Sequence, residues 1–191
     1  MNDLCINNLK CNYMKSESEV SQRQKRLKEL YENNSSLAMI TDSSEVIGIN
    51  LEDPFRSSVA ISNDFQVPFK VGIHRAVGGD HDFPNAGDLL CGALAICFET
   101  TIRMISNRLN IELSETRVKA SAQVDVRGTL LIDKSVPVGF QSMHLDVVVV
   151  SPTSNQKIMQ ILLGASEQSC IIYQTIKQGI PITITSSFET K

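Results

Sequence analysis

Hydrophobic and polar positions divide this chain into segments of different period. Over residues 16–31 the side chains are mostly Lys, Arg, Glu and Gln, with Val20, Leu27, Leu30 and Tyr31 recurring near helical spacing. That pattern predicts a helix with most of its surface in water. Asn33, Asn34, Ser35 and Ser36 end it, and short apolar runs over 37–41 and 46–51 predict modest strands. Two extended runs within 56–71 flank Asn63-Asp64, the pattern of a hairpin. Pro68 puts the second run at a sheet edge, because proline has no N–H to give to a ladder. A turn-rich loop from about His74 to Gly87 follows.

Residues 88–109 are apolar on nearly every side, and a helix of that kind belongs in the centre of a structure. The next stretch alternates, with Val118, Ala120, Ala122, Val124 and Val126 on one face and Lys119, Ser121, Gln123, Asp125 and Arg127 on the other, as in a half-buried strand. A second strand is expected over 143–150, and SPTSN then supplies turn and N-cap residues for a helix running to Gln178. Gly179 tolerates the left-handed conformation found just past a helix, and Pro181 cannot continue it. Ile180, Ile182 and Ile184 predict a last short strand. This order lacks the strand-helix alternation of a parallel sheet and implies an α+β fold with antiparallel strands. Two nearly all-apolar helices exceed what so small a sheet covers, so a second subunit is expected, most simply in a homodimer.

Composition narrows the classes. A chain of 191 residues, 42% hydrophobic, supports one domain, assigned to 56–191, preceded by an arm at 1–55. A formal charge of -3, a pI near 5.6, no Trp and 5% aromatic content give neither a basic field nor a stacking surface, which argues against nucleic acid. The polar start MNDLCINNLKCNYMKSESE lacks the pattern of a secretory signal, so a cytoplasmic location is expected. The most apolar run, 89–98, is followed by Glu99 and Arg103 and falls short of the roughly 20 residues of a membrane span.

Five cysteines without a signal peptide read as free thiols, and none has the CxxC spacing of a zinc site. Cys5 and Cys11 fall in the polar N-terminus. Cys97 lies in the first apolar helix and Cys170 in the second. Helices of this kind can pack side by side, and the two thiols are then either buried small hydrophobes or a redox pair. Cys91, six positions before Cys97, sits about 120° around the helix and reads as core filling.

LLCGALAICFETTIRMISNRL, followed by ASEQSCIIYQTIKQGIPI, resembles the OsmC/Ohr family of osmotically induced and organic-hydroperoxide-resistance proteins. The resemblance extends over roughly 56–187 and includes the GGD turn before the first apolar helix. It implies antiparallel sheets wrapped around two long central helices, in an intertwined homodimer with sites at the subunit interface. By position, Cys97 would be the peroxidatic residue and Cys170 the resolving one, in a cysteine-based peroxidase of organic hydroperoxides that uses no cofactor. A dithiol, such as a lipoylated protein, would reduce the resulting disulfide.

Relatives activate the peroxidatic thiol with an arginine held by a glutamate that follows a proline. Here those two positions are Ala86 and Gly87, and Asp88 is the nearest acidic substitute. An acidic residue in a first turn is also explained by the helix dipole. Arg56 and Arg75 are the two candidate arginines, and Glu99 and Glu167 are candidate members of a polar network, with Arg103 pointing elsewhere on its helix. His74, Asp80, His81 and Asp82 gather potential metal ligands, but a turn-rich loop collects such residues anyway, and no metal is expected. The competing functional reading is a non-catalytic dimer that binds a small apolar ligand or a protein partner in its interface cleft.

Overall fold

The computed structural model describes residues 17–47, 50–62, 67–152 and 155–188. Among the described residues four α-helices and five strands follow one another in the mixed order expected of an α+β chain, and all strand pairs are antiparallel. Helix α1 (Glu19–Asn33) starts where the Ser18 hydroxyl accepts the Ser21 N–H at 3.2 Å, and it buries no residue, in keeping with its polar sequence. Strands β1 (Ser44–Ile47), β2 (Arg56–Ile61) and β3 (Val67–Gly72) form one sheet in that order. Pro68 lies opposite Ala60 on β3, which pairs only with β2 among the described residues, the edge position that its missing N–H demands. The hairpin turn expected at Asn63-Asp64 lies outside the described residues, as do Cys5 and Cys11.

Helix α2 (Ala86–Arg108) is the centre of the molecule. Strands β4 (Glu115–Gln123) and β5 (Ser142–Val150) form a second sheet in which Val118 faces Val147 and Ala120 faces Leu145. Along β4, exposed and half-buried positions alternate without a break, as the period-2 pattern predicts. That sheet packs on α2, as do helices α3 (Gln156–Ser169) and α4 (Ile171–Gln178). The core is Phe98, Ile102 and Ile105 of α2 with Leu162 of α3 and Cys170, overlaid by Val118, Leu145, Val147 and Val149. Burial of a large apolar side chain contributes about 1.5–3 kcal/mol, so this contact holds the helices to the sheet. By length and composition α2 could cross a membrane, with a mean hydropathy of 1.5 over its most apolar window. Its contacts with β4, α3 and α4 account for the apolarity of its inner side.

Several sequence expectations are corrected. The helix expected to run unbroken to Gln178 is two helices, because Cys170 has extended backbone angles (φ -77°, ψ 111°) and ends one helix while starting the next. Its sulfur replaces the missing backbone acceptor by taking the Tyr173 N–H at 3.5 Å. The run 37–41 is not a strand: Ser35–Ala38 form a 3-10 turn, started by the Asn34 side chain accepting the Ser36 N–H at 3.2 Å. Ile182 and Ile184 stand exposed and form no strand, since no described strand pairs with them. The alternation through Val124 and Val126 outlasts β4, which stops at Gln123 where the chain turns around an Arg127–Asp125 ion pair. Gly179 ends α4 at φ 69°, as its position predicts.

Candidate functional site

Helix α2 is started by a capping box. The Asn85 side chain accepts the N–H groups of Gly87 and Asp88 at 2.8 and 3.2 Å, and the Asp88 carboxylate accepts the Asn85 N–H at 3.0 Å. Further along, the Cys97 carbonyl accepts the Thr101 hydroxyl at 2.7 Å. The neighbouring Phe98 ring meets the Tyr173 ring at 5.7 Å between centroids, tilted by 58°. This aromatic contact brings α4 against α2 beside Cys97.

Across the resulting junction Cys97 packs against the core cluster that contains Cys170, and the neighbouring Cys97 thiol adds to the upward push on the Cys170 thiol. Both are free, Cys97 half-buried and Cys170 fully buried. Burial is the main cause pushing the Cys170 thiol upward from its ordinary range, opposed by the Tyr173 N–H. A disulfide between neighbouring thiols forms only within narrow geometric limits.

The expected activating shell is arranged differently. Arg56 is held by Asp53 (3.1 Å), Asp82 (2.8 Å) and Asp80, three carboxylates on one guanidinium. Its hydrogen bonds with Asp82 and Asp53 push its pKa upward, and those with Arg56 hold the Asp82 carboxyl below the usual range. Asp88 bonds to Asn85 within the helix cap, so the structure does not bring Asp88 and Arg56 together. Arg75 lies in a 3-10 turn, Arg75–Val77, and makes no ion pair among the described residues. Glu99 receives two bonds from Arg103, at 2.7 and 2.9 Å, and one from Thr116, and these hold its carboxyl below the ordinary range. Glu167 accepts the Gln174 side-chain amide through its backbone carbonyl.

His74 and His81 meet edge to face at 4.5 Å, and the His74 Nδ1 accepts the Ala76 N–H. No group of three or more potential metal ligands occurs among the described residues. Cys91, expected in the core, is half-buried in the wall of a cavity of about 1090 Å³ between α2, β4 and the loop through Phe140. Burial and the nearby Asp88 push its thiol upward. Neither Cys97 nor Cys170 lines this cavity. The sequence reading also missed Tyr173, whose signal is its place three residues after Cys170, the spacing of a helix cap and its N–H donor.

The sequence profile described as OsmC-like protein matches residues 79–185. No curated protein matches the chain. Among solved structures, an organic hydroperoxide resistance protein of Elizabethkingia anophelis is similar at 18% identity and a TM-score of 0.56, covering 74% of this chain and 91% of that one. An organic hydroperoxide resistance protein OsmC of Legionella pneumophila is 17% identical with a TM-score of 0.55, covering 73% and 91%. An OsmC like protein of Mycoplasma pneumoniae is 11% identical with a TM-score of 0.58, covering 73% and 89%. At these identities the likeness shows the fold.

Proposed function

The chain belongs to the OsmC-like protein family, and on that premise we propose that it is a thiol peroxidase reducing organic hydroperoxides through Cys97 and Cys170. The observation that carries this reading is that the half-buried Cys97 packs against the core cluster that holds the fully buried Cys170. The Cys97 thiolate attacks the terminal peroxide oxygen, the O–O bond breaks, and the alcohol leaves with a proton. Cys97 is then a sulfenic acid. Attack by the Cys170 sulfur on the Cys97 sulfur expels water and closes a disulfide. A dithiol returns the two electrons. Attack requires thiolate, and a cation favours it. Of the two candidate arginines, Arg56 is already neutralised by three carboxylates, which favours Arg75.

The working form of this reading is a homodimer. One chain leaves Leu90, Ile96 and Met104 of α2 exposed, Ile96 by 67%, and Val46, Ile61 and Val67 of the first sheet exposed as well. A second copy laid on these surfaces would cover them.

The test mixes reduced protein with one equivalent of cumene hydroperoxide, counts thiols and maps disulfides by peptide mass. A Cys97–Cys170 link within seconds is expected, absent in Cys97→Ser. No thiol loss, or equal loss in that variant, overturns the reading. The 1090 Å³ cavity, with Ala76, Ala95, Ala122, Val124 and Phe140 in its walls, favours a second reading as a binder of a small apolar ligand. An inert thiol pair in the same assay would leave that one standing.

A further inference from the structure

The cavity of about 1090 Å³ between α2, β4 and the loop through Phe140 lies apart from the thiol pair, since neither Cys97 nor Cys170 lines it. What enters it does not depend on the peroxidase reading; the inference drawn here rests on the second reading, of a site for a small apolar ligand, and deepens it. The space exists because its walls carry small residues, Gly92 and Ala95 on α2 with Ala120 and Ala122 on β4. A Cβ at Gly92 would meet no atom within 4 Å. Protein interiors hold few voids larger than a water molecule, and small-molecule sites typically occupy about 300–1,000 Å³, so space on this scale suits a ligand from outside.

The electrostatics of the walls have one sign. With histidine neutral, Asp88 is the single lining residue that carries a formal charge. Its Oδ2 accepts the Asn85 N–H at 3.0 Å and the Asn85 side-chain amide at 2.7 Å, whereas its Oδ1 has no hydrogen-bond partner and Asp88 no ion pair among the described residues. The positive end of the α2 dipole offsets about half a charge, which leaves this wall net negative. That field is felt inside the cavity: Cys91, one turn along α2, also lines the wall, and after burial Asp88 is the second cause pushing its thiol upward. His74 adds no opposing charge, because its Nδ1 accepts the Ala76 N–H at 3.0 Å and the neutral ring then carries its proton on Nε2. The Phe140 ring stands against the same first turn, its Cζ 3.1 Å from where a Gly87 Cβ would be. An aromatic ring close to a carboxylate favours a cation with an apolar body.

We infer that this cavity binds a small apolar amine in its ammonium form, the charged nitrogen donating to the Asp88 Oδ1 and the hydrocarbon body lying along Ala95, Ala120, Ala122, Val126 and Val138. An alcohol of the same shape forgoes the ion pair, and a carboxylate meets the like charge of Asp88. Asp88 is partly open to water, so the ion pair gives a modest advantage, about fivefold in affinity. The apolar walls supply the remainder by removing the body of the ligand from water.

Isothermal titration calorimetry near neutral pH, where an alkylamine is an ammonium, compares three probes built on one hydrocarbon cage: 1-adamantylamine, 1-adamantanol and 1-adamantanecarboxylate. The amine is expected to bind at least about fivefold more tightly than the alcohol, and the carboxylate more weakly than either. At about 1 M salt the advantage of the amine should fall below about twofold. In Asp88→Asn, which keeps an acceptor for the Asn85 N–H, amine and alcohol should bind alike. Gly92→Trp puts an indole into open space on the cavity wall between Asp88 and Ala95, and should weaken both ligands at least about tenfold without lowering the denaturation midpoint. Equal affinity of amine and alcohol in the original protein overturns the inference and leaves the apolar-ligand reading standing; no binding of either overturns both. Unchanged amine binding in Asp88→Asn or in Gly92→Trp puts the amine at another site and also overturns it. Thiol loss with cumene hydroperoxide is a separate measurement, so the peroxidase reading is judged independently.

Discussion

The Cys170 sulfur accepts the Tyr173 N–H at 3.5 Å, so the residue assigned to resolve the reaction also caps helix α4. Chemistry and structure at this position can be separated by two substitutions. Cys170→Ser removes the thiol and keeps an acceptor for the Tyr173 N–H; Cys170→Ala removes both. Loss of a helix cap costs about 1 kcal/mol. In chemical denaturation Cys170→Ala is expected to be less stable than Cys170→Ser by about that amount, while neither forms a Cys97 disulfide. Equal stability of the two variants would mean that the sulfur contributes nothing as a cap.

Glu99 gives the fold a defined acid sensitivity. Hydrogen bonds from Arg103 and then Thr116 hold its carboxyl below the ordinary range, so the folded state binds its proton less readily than the unfolded chain. The stabilisation is therefore complete above the unfolded value, about 4.3, and fades as pH falls through the lower folded value. The pair is partly exposed, with Arg103 58% and Glu99 22% accessible, so at pH 7 Glu99→Gln should cost no more than about 1 kcal/mol. Denaturation midpoints of the two proteins should converge below about pH 4. A gap of constant size down to that pH would assign the loss to packing and remove the carboxylate from the explanation.

The elements set by a long periodic pattern were legible in the sequence. Helix α2, the alternating strand β4, and the edge position of Pro68 on β3 all follow from residue spacing and from what proline cannot do. The break at Cys170 was hidden because neither Gly nor Pro marks it: a cysteine sulfur does the capping within an apolar run. Ile180, Ile182 and Ile184 alternate like a strand, but alternation describes a face and does not supply a partner. At the candidate site, Cys97 and Cys170 were singled out by the family resemblance, whereas the tilted Phe98–Tyr173 ring contact that joins α4 to α2 beside them is encoded by no local pattern. The three aspartates around Arg56 come from two separate segments, and only folding brings them together.

Asp88 was expected to anchor an arginine, and its observed partner is the cap residue Asn85. Asp88→Ala should therefore lower stability by about 1 kcal/mol through the capping box. The rate of Cys97–Cys170 disulfide formation with hydroperoxide should stay within about twofold, because the box touches neither thiol. A tenfold or greater drop in that rate with an unchanged denaturation midpoint would return Asp88 to the activating shell.

Gly87 occupies the position where the family resemblance leads one to expect a glutamate. A Cβ at Gly87 would lie 3.0 Å from the Asn85 Oδ1 and 3.1 Å from the Phe140 Cζ, tighter than ordinary contact. Phe140 thus fills the space a longer side chain needs, and both residues line the large cavity. Putting the acid back by Gly87→Glu should destabilise the protein, by about 1–3 kcal/mol if Phe140 cannot swing aside. The decisive comparison is a double-mutant cycle with Phe140→Ala, which opens that wall. The two changes together should cost less than the sum of the separate losses, by at least about 0.5 kcal/mol in denaturation measurements, because the second removes the obstacle to the first. Strict additivity would show that Phe140 already moves freely, and the absent glutamate would then have no steric cause in this wall.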